Sequence, residues 1–177
     1  MIYIHTPATP IVEDIAFVAR SDLRFPLQRD RRLHSAIHDL AKWTHAVTIT
    51  FIRIGQYGQR CSEYIMHSAL RHFIRVLNIK CFGRKQFDRG QRVSVVAAFG
   101  MGSSLEHPHC HMAIAAPVSM TSAAFEKLII GAIRKTRCFN QQFEMKPYES
   151  EGWIKYLLDH QEELFMDLPL PAHPKIG

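Results

Sequence analysis

The sequence predicts an α+β fold: one antiparallel sheet of four or five strands with helices packed on it. Two segments rich in β-branched residues, AVTITFIRI at 46–54 and RVSVVAAF at 92–99, read as strands. Three longer segments carry apolar residues at helical spacing behind plausible caps. From residue 46 onward the order is β, α, β, β, α, β, α, which suits a sheet covered by helices rather than a parallel βαβ array.

The elements follow in turn. Residues 1–30 begin with a short apolar run, Met1 to Ile4, and Pro10 and Pro26 bracket a possible helix around Val12 to Val18. From Arg29 to Thr44, Leu33, Ile37, Leu40 and Trp43 recur at helical spacing, with Asp30 as cap. Arg31, Arg32, His38 and Lys42 then fall on its outer face. The strand at 46–54 is broken by Gly55 and Gly58. Ser62 caps a helix to Leu77, with Ile65, Ala69, Phe73 and Leu77 as its stripe. Asn78 to Arg89 reads as a loop through Gly83, rich in basic residues.

After the second strand, Gly100, Gly102, Ser103 and Ser104 make a loop, and HCHMAIA at 109–115 is the third strand, ended by Pro117. A helix over Thr121–Arg134, capped by Ser119, Thr121 or Ser122, turns Phe125, Leu128, Ile129 and Ala132 inward. A short fourth strand spans Phe143–Lys146. The last helix runs Ser150–Glu163, anchored by Trp153, Leu157, Leu158 and Leu164, before an irregular tail with Pro169, Pro171 and Pro174. The divisions are an N-terminal extension with a basic helix (1–44), a main domain (45–163) and a Pro-rich tail (164–177).

With 177 residues, 47% of them apolar, the chain can bury a real core. A formal net charge of +6 suits a polyanionic partner without proving one. Cys61, Cys81, Cys110 and Cys138 have neither zinc-finger nor disulfide-scaffold spacing, so free thiols in a reducing compartment are expected. There is no apolar run of transmembrane length, and the first 22 residues lack the layout of a secretory signal. The expectation is a cytoplasmic protein with no membrane partner.

The densest set of potential ligands is EHPHCHMAIA, with Glu106, His107, His109 and His111 within six residues. On a strand, His109 and His111 point to one face with Cα atoms roughly 7 Å apart. Two imidazoles so placed can share a divalent ion, while Cys110, Met112 and Ile114 turn into the core. Tyr156 is the second candidate. It shares a helix face with His160, and Lys155 precedes it. Basic residues near the Lys80–Arg89 segment (Lys80, Arg84, Lys85, Arg89) and around Arg31, Arg32 and Lys42 are candidate phosphate contacts.

The strand HAVTITFIR, the strand HCHMAI and the helical YLLDH resemble the three ordered motifs of the HUH endonuclease superfamily, which includes rolling-circle replication initiators, relaxases and small transposases. His109-Cys110-His111 matches the central motif, and Tyr156, 45 residues later, matches the nucleophile. The resemblance covers about residues 45–162. It implies an HUH-type fold, single-stranded DNA or a DNA hairpin as substrate, Mn²⁺ or Mg²⁺ as cofactor, and nicking and rejoining through a 5′-phosphotyrosine. Initiator, transposase and relaxase share these motifs; initiation of replication on a plasmid or virus-like element is the expected role, and an initiator without a motor domain would use a host helicase as partner. Members often use a third metal ligand. The strand RVSVVAAFG offers no carboxylate, leaving Glu106, His107, Asp88 or Gln91, with His107 favoured. Where many members have a lysine three residues after the tyrosine, this chain has Asp159, flanked by His160. Tyr148 lies eight residues before Tyr156, too far for a two-tyrosine relay on one helix. Two other readings stay open: a non-catalytic nucleic-acid-binding module on a degenerate scaffold, and a metal-dependent phosphoesterase or RNA-processing enzyme using water as nucleophile.

Overall fold

A computed structural model describes residues 31–52, 61–100, 108–159 and 163–169, with the side chains of 31–33 and 163 outside that description. The expected helix at Val12–Val18, the Asp30 cap, the loop glycines at 55, 58 and 102, and the ligand candidates Glu106, His107 and His160 lie outside the described residues.

Among the described residues nine elements follow one another: α1 (Arg31–Asp39), β1 (His45–Phe51), α2 (Glu63–Asp88), β2 (Val95–Gly100), β3 (His109–Ile114), α3 (Ser122–Ile133), β4 (Phe139–Pro147), α4 (Glu151–Asp159) and β5 (Glu163–Asp167). The strands form one five-stranded sheet in the order β4-β1-β3-β2-β5, every neighbouring pair antiparallel. The result is a small α+β domain with helices on both faces of the sheet. No helix among the described residues is long and apolar enough to cross a membrane.

The two faces follow from the period-2 alternation of the central strands. Val47, Ile49 and Phe51 of β1, Val95, Ala97 and Phe99 of β2, and Cys110, Met112 and Ile114 of β3 point to one side, where they meet α2 and α3 in the larger core. Phe73 of α2 and Phe125 of α3 are fully buried there. Removing either ring from water is worth about 1.5–3 kcal/mol. Val96, Ala98 and Ala113 point to the other side and pack against Ile37 of α1, Trp43, and Ile154, Leu157 and Leu158 of α4.

Local chemistry sets the element ends. The Ser62 hydroxyl accepts from the N–H of Ile65 at 3.4 Å and begins α2, and Thr121, among the three expected candidates, accepts from Ala124 at 3.3 Å and begins α3. α1 is shorter than the expected span to Thr44. The Trp43 indole N–H turns back to the carbonyls of Ile37 and His38, both at 3.1 Å, and occupies acceptors that an ending helix leaves open.

Three expectations change. The segment Asn78–Arg89, read as a loop, is the second half of α2, kinked at Gly83 (φ 74°, ψ 161°). Asn78 is fully buried; its Oδ1 accepts from the N–H of Val93 at 2.6 Å and its Nδ2 donates to Asp167 at 3.4 Å. These tertiary bonds hold the helix where its residues alone suggested an exit. The fourth strand is longer than expected, from Phe139 to Pro147. The last helix ends at Asp159, and Leu164, expected as its anchor, lies instead on the edge strand β5, paired with Ala98 of β2.

His45 ties the sheet to α3. It is 1% exposed, and its ring nitrogens meet the hydroxyls of Thr44 (2.7 Å) and Ser122 (3.2 Å), with Glu126 at 3.6 Å. Burial lowers its pKa, and the Glu126 carboxylate opposes that without reversing it.

Two outcomes are expected. Gly83 occupies a backbone region essentially reserved for glycine, and a methyl group there meets nothing within 4 Å. Gly83→Ala should therefore lower unfolding free energy by about 1–3 kcal/mol from backbone strain alone, read from urea titration. His45 is held neutral in the folded state below its usual pKa of about 6.5. As pH falls, the unfolded chain takes up that proton first. The stability from the neutral ring is complete above about pH 6.5 and is lost as pH falls through the folded pKa. His45→Gln should flatten the dependence of the urea midpoint on pH below about 6.5.

Candidate active site

β3 is hydrogen-bonded on both sides. His111 lies opposite Thr48 of β1 and Ala98 of β2, and His109 opposite Thr50 and Gly100. The alternation that sends Cys110 and Met112 into the larger core turns His109 and His111 to the face covered by α4. Their rings meet edge to face, with centroids 4.8 Å apart. The pairing expected of these two histidines is what the register delivers.

α4 crosses this face. Its Trp153 indole N–H donates to the carbonyl of Met112 at 3.0 Å, fixing the helix to β3. Trp153 stacks on Tyr156 at a centroid distance of 5.5 Å, and both rings stand edge-on to His111, at 5.5 and 5.1 Å. The Tyr156 phenolic oxygen lies 3.4 Å from Nε2 of His111. Tyr156 remains 38% exposed, so the phenol borders both the imidazole and solvent.

His111 is 8% exposed. Its Nδ1 is 2.8 Å from the Thr48 hydroxyl, which fixes the ring orientation and leaves Nε2 toward Tyr156. Burial, then the charge of the neighbouring His109, push its pKa down to about 4, against an upward pull from Glu144. At neutral pH the ring is therefore uncharged, the form that binds a metal or accepts a proton.

Thr48 and Glu144 are absent from the residues singled out by sequence. Glu144 of β4 lies opposite Thr48, in the same cross-strand row as His111. Its carboxylate pairs with Lys146 at 2.6 Å. Only the strand register reveals this row, because Thr48, His111 and Glu144 belong to three separate segments. Among the described residues no group of three or more His, Cys, Asp or Glu side chains is arranged to hold a metal ion. His109 and His111 supply two donors, and Glu144 is the carboxylate on the adjoining row.

The other sequence candidates separate. Asp88 lies on α2 and is held by Arg84 at 3.0 Å, on the opposite face of the sheet from Tyr156. Gln91 precedes β2 at the end paired with Ile114, away from His109. Neither approaches the histidine pair as a third ligand. Lys80, Arg84, Lys85 and Arg89 also belong to α2 or its end and so to the far face. Arg31 and Arg32 begin α1, on the tyrosine side, and Lys42 follows that helix, exposed to solvent. His38, expected outward, turns in to the Tyr148 hydroxyl at 2.9 Å. Burial first, then Glu151, push the Tyr148 phenol up to about 12. Lys155 is exposed, one residue and so about 100° around the helix from Tyr156.

Compared with protein-family models, with curated proteins and with solved structures, the chain matches none of them. The site therefore stands on its own geometry.

Thr48→Val keeps the shape of the side chain and removes its oxygen. It should cost about 1–3 kcal/mol, because a nearly buried imidazole nitrogen loses its partner. Nitrogen-detected NMR of the histidine rings should show one fixed tautomer of His111 in the wild type and a mixture in the variant. A single unchanged tautomer would show that Thr48 does not orient the ring.

Proposed function

We propose that this chain nicks and rejoins single-stranded DNA through a covalent 5′-phosphotyrosine on Tyr156, as its resemblance to HUH endonucleases implies, with replication initiation on a plasmid or virus-like element as the setting. The observation that carries the reading is the Tyr156 oxygen 3.4 Å from Nε2 of a neutral, oriented His111, with His109 beside it on the same strand face.

The chemistry asked of these residues balances. The Tyr156 oxygen attacks the phosphorus and loses its proton, a P–O bond forms, and the bond from phosphorus to the 3′ oxygen breaks. The departing oxygen takes a proton and leaves as a 3′ hydroxyl. In the reverse direction that hydroxyl attacks the phosphotyrosine and restores the strand, so the phosphoester bond is conserved and no nucleotide hydrolysis is required.

A phenol is a poor nucleophile at neutral pH, with an ordinary pKa of about 10. In the tautomer whose Nδ1–H donates to Thr48, the Nε2 lone pair of His111 faces the Tyr156 hydroxyl and can accept its proton. The stacked Trp153 limits the swing of the phenol, and its exposed edge leaves room for a phosphodiester. Trp153 and Tyr156 also present aromatic surface on which an unpaired base can stack.

The donor set suits Mn²⁺ or Mg²⁺ in part. His109 and His111 would hold the ion, Glu144 is the carboxylate in the cross-strand row of His111, and Glu106 and His107 remain sequence candidates. The hydrogen bond from the second ring nitrogen to Thr48 is the kind of support metal-binding histidines have. When bound, the ion would offset charge on the scissile phosphate. Imidazole donors favour Mn²⁺ over Mg²⁺ for tight binding.

The deciding experiment incubates wild type and Tyr156→Phe with Mn²⁺ and a labelled single-stranded oligonucleotide. The wild type should give a denaturation-resistant adduct that mass spectrometry maps to Tyr156. Tyr156→Phe should lose cleavage by a factor on the order of 10⁴ or more while keeping its fold. Cleavage that survives in the phenylalanine variant would instead identify water as nucleophile and a phosphoesterase. Binding without any cleavage by the wild type would identify a DNA-binding module on the same scaffold.

A further inference from the structure

The charge of this protein is divided between the two helical layers. The segments 63–92 and 121–137, which contain α2 and α3 and their C-terminal flanks, hold eleven Lys and Arg against three Asp and Glu. The whole chain is +6 with 22 against 16, so this layer accounts for all of the positive excess and the remainder of the chain is slightly acidic. The few carboxylates here are engaged locally. Asp88 pairs with Arg84, and Glu126 turns to His45 and Ser122.

The charge also converges. Gly131 lies within α3, where glycine costs about 1 kcal/mol relative to alanine. The Lys80 ammonium from α2 passes 3.3 Å from where a Cβ on residue 131 would sit. The bare backbone thus lets Lys80 lie across α3. Lys127 lies one turn before Gly131 on α3, and Arg134 and Lys135 follow it as the C-cap and the turn just beyond the helix. All three are exposed, as is Lys80. Four cations therefore border one seam between α2 and α3, on the face of the sheet turned away from Tyr156.

We propose that the α2–α3 seam is a second nucleic-acid surface, which binds the phosphate backbone of double-stranded DNA beside the segment presented to Tyr156. The choice of duplex rests on what the surface offers. Single strands are held by aromatic platforms together with cations. The stacked Trp153–Tyr156 pair is on the other face, and the large exposed aromatic of the basic layer is Tyr64, sixteen residues from Lys80 and so about 24 Å along the helix. The seam offers mainly point charges, which suit a regular row of phosphates: Phe82 and Phe87 nearby are only partly exposed, and Arg92 covers the Phe87 ring. α2 is kinked at Gly83, and its straight part, Glu63–Phe82, spans about 30 Å, a little under one turn of duplex. DNA as the partner rests on the proposed function. The location and character of the surface do not depend on cleavage.

The test uses the full chain and compares wild type with Lys127→Gln/Arg134→Gln/Lys135→Gln, and separately with Lys80→Gln. Gln is a good helix former, and circular dichroism confirms that each variant is folded. Fluorescence anisotropy measures binding to a duplex of about two helical turns over a range of salt. The triple variant should bind duplex at least tenfold more weakly and lose roughly two to three from the slope of log affinity against log salt. Lys80→Gln should lose about one. Mn²⁺-dependent nicking of a short single strand should stay within twofold of wild type. Unchanged duplex affinity in the folded triple variant overturns the proposal. So does an equal loss of single-strand nicking, because the seam would then belong to the path to Tyr156. Wild type that binds duplex through the seam but never nicks upholds this surface and removes the Tyr156 reading, so the two failures are distinguishable.

Discussion

Everything on the candidate site depends on the alternation of side chains along β3, held in register from both sides. β1 and β2 pair with every residue of HCHMAI. Cys110, Met112 and Ile114 are fully buried under α2 and α3. Because the period is two, burying those three commits His109 and His111 to the other face, and a slip of one residue would exchange the sets. The apolar core thus fixes the polar site. It also sets the charge of His111: a ring on a central strand beneath a helix loses water, so the neutral form is favoured at ordinary pH.

A second constraint places the phenol. α4 has nine residues, too few for a stable helix in water by itself. It is held by Ile154, Leu157 and Leu158 against the smaller core, by the Trp153 indole on the Met112 carbonyl, and by contact between Asp159 and His34 of α1 at 3.5 Å. Trp153 contributes twice, anchoring the helix through its nitrogen and restricting Tyr156 through its ring. The basic helix that sequence assigned to an extension thereby supports the same layer that carries the tyrosine. Ile37 and Trp43 contribute its buried side chains.

How much of this was legible depends on the range of the interaction. β1 and β3 could be read because alternation is local, and α3 because its cap and stripe are local. The pairing of His109 with His111 needed only the strand period. β5 was missed because Leu164, Phe165 and Met166 are consecutive apolar residues that fit a helix end as well as an edge strand. The second half of α2 was missed because Gly83 and the dense charges resemble a loop, while the bonds of Asn78 to Val93 and Asp167 reach across the fold. Thr48 and Glu144 were invisible for the same reason, since no segment contains the row they share with His111. The basic residues were identified by type, but which face they occupy follows from the sheet they pack on. A helix pattern shows that a face is charged without showing what lies behind it.

The nearness of Tyr156 to His111 constrains the chemistry in a further way. Nε2 has one lone pair. It can accept the phenolic proton or bind a metal ion, but it cannot do both at once. If a metal occupies it, the proton of Tyr156 must go to another acceptor, and the exposed edge of the phenol makes solvent the accessible one. If no metal occupies it, the ring is a base whose pKa near 4 makes it a weak one. A weak base gains little from taking a proton from a group of pKa about 10. Under the proposed function, the depressed pKa therefore makes proton acceptance the smaller of the two roles open to His111. In that reading the same neutral ring, oriented through Thr48, would donate its lone pair to a cation, and a cation beside the phenol would favour the phenolate. The Tyr148 phenol, half-buried and pushed up to about 12, meets the single imidazole of His38 rather than the His109–His111 pair. Of the two tyrosines that flank or lie on α4, Tyr156 is the one that faces His111 and its neighbour His109, which is why the proposed function rests on it.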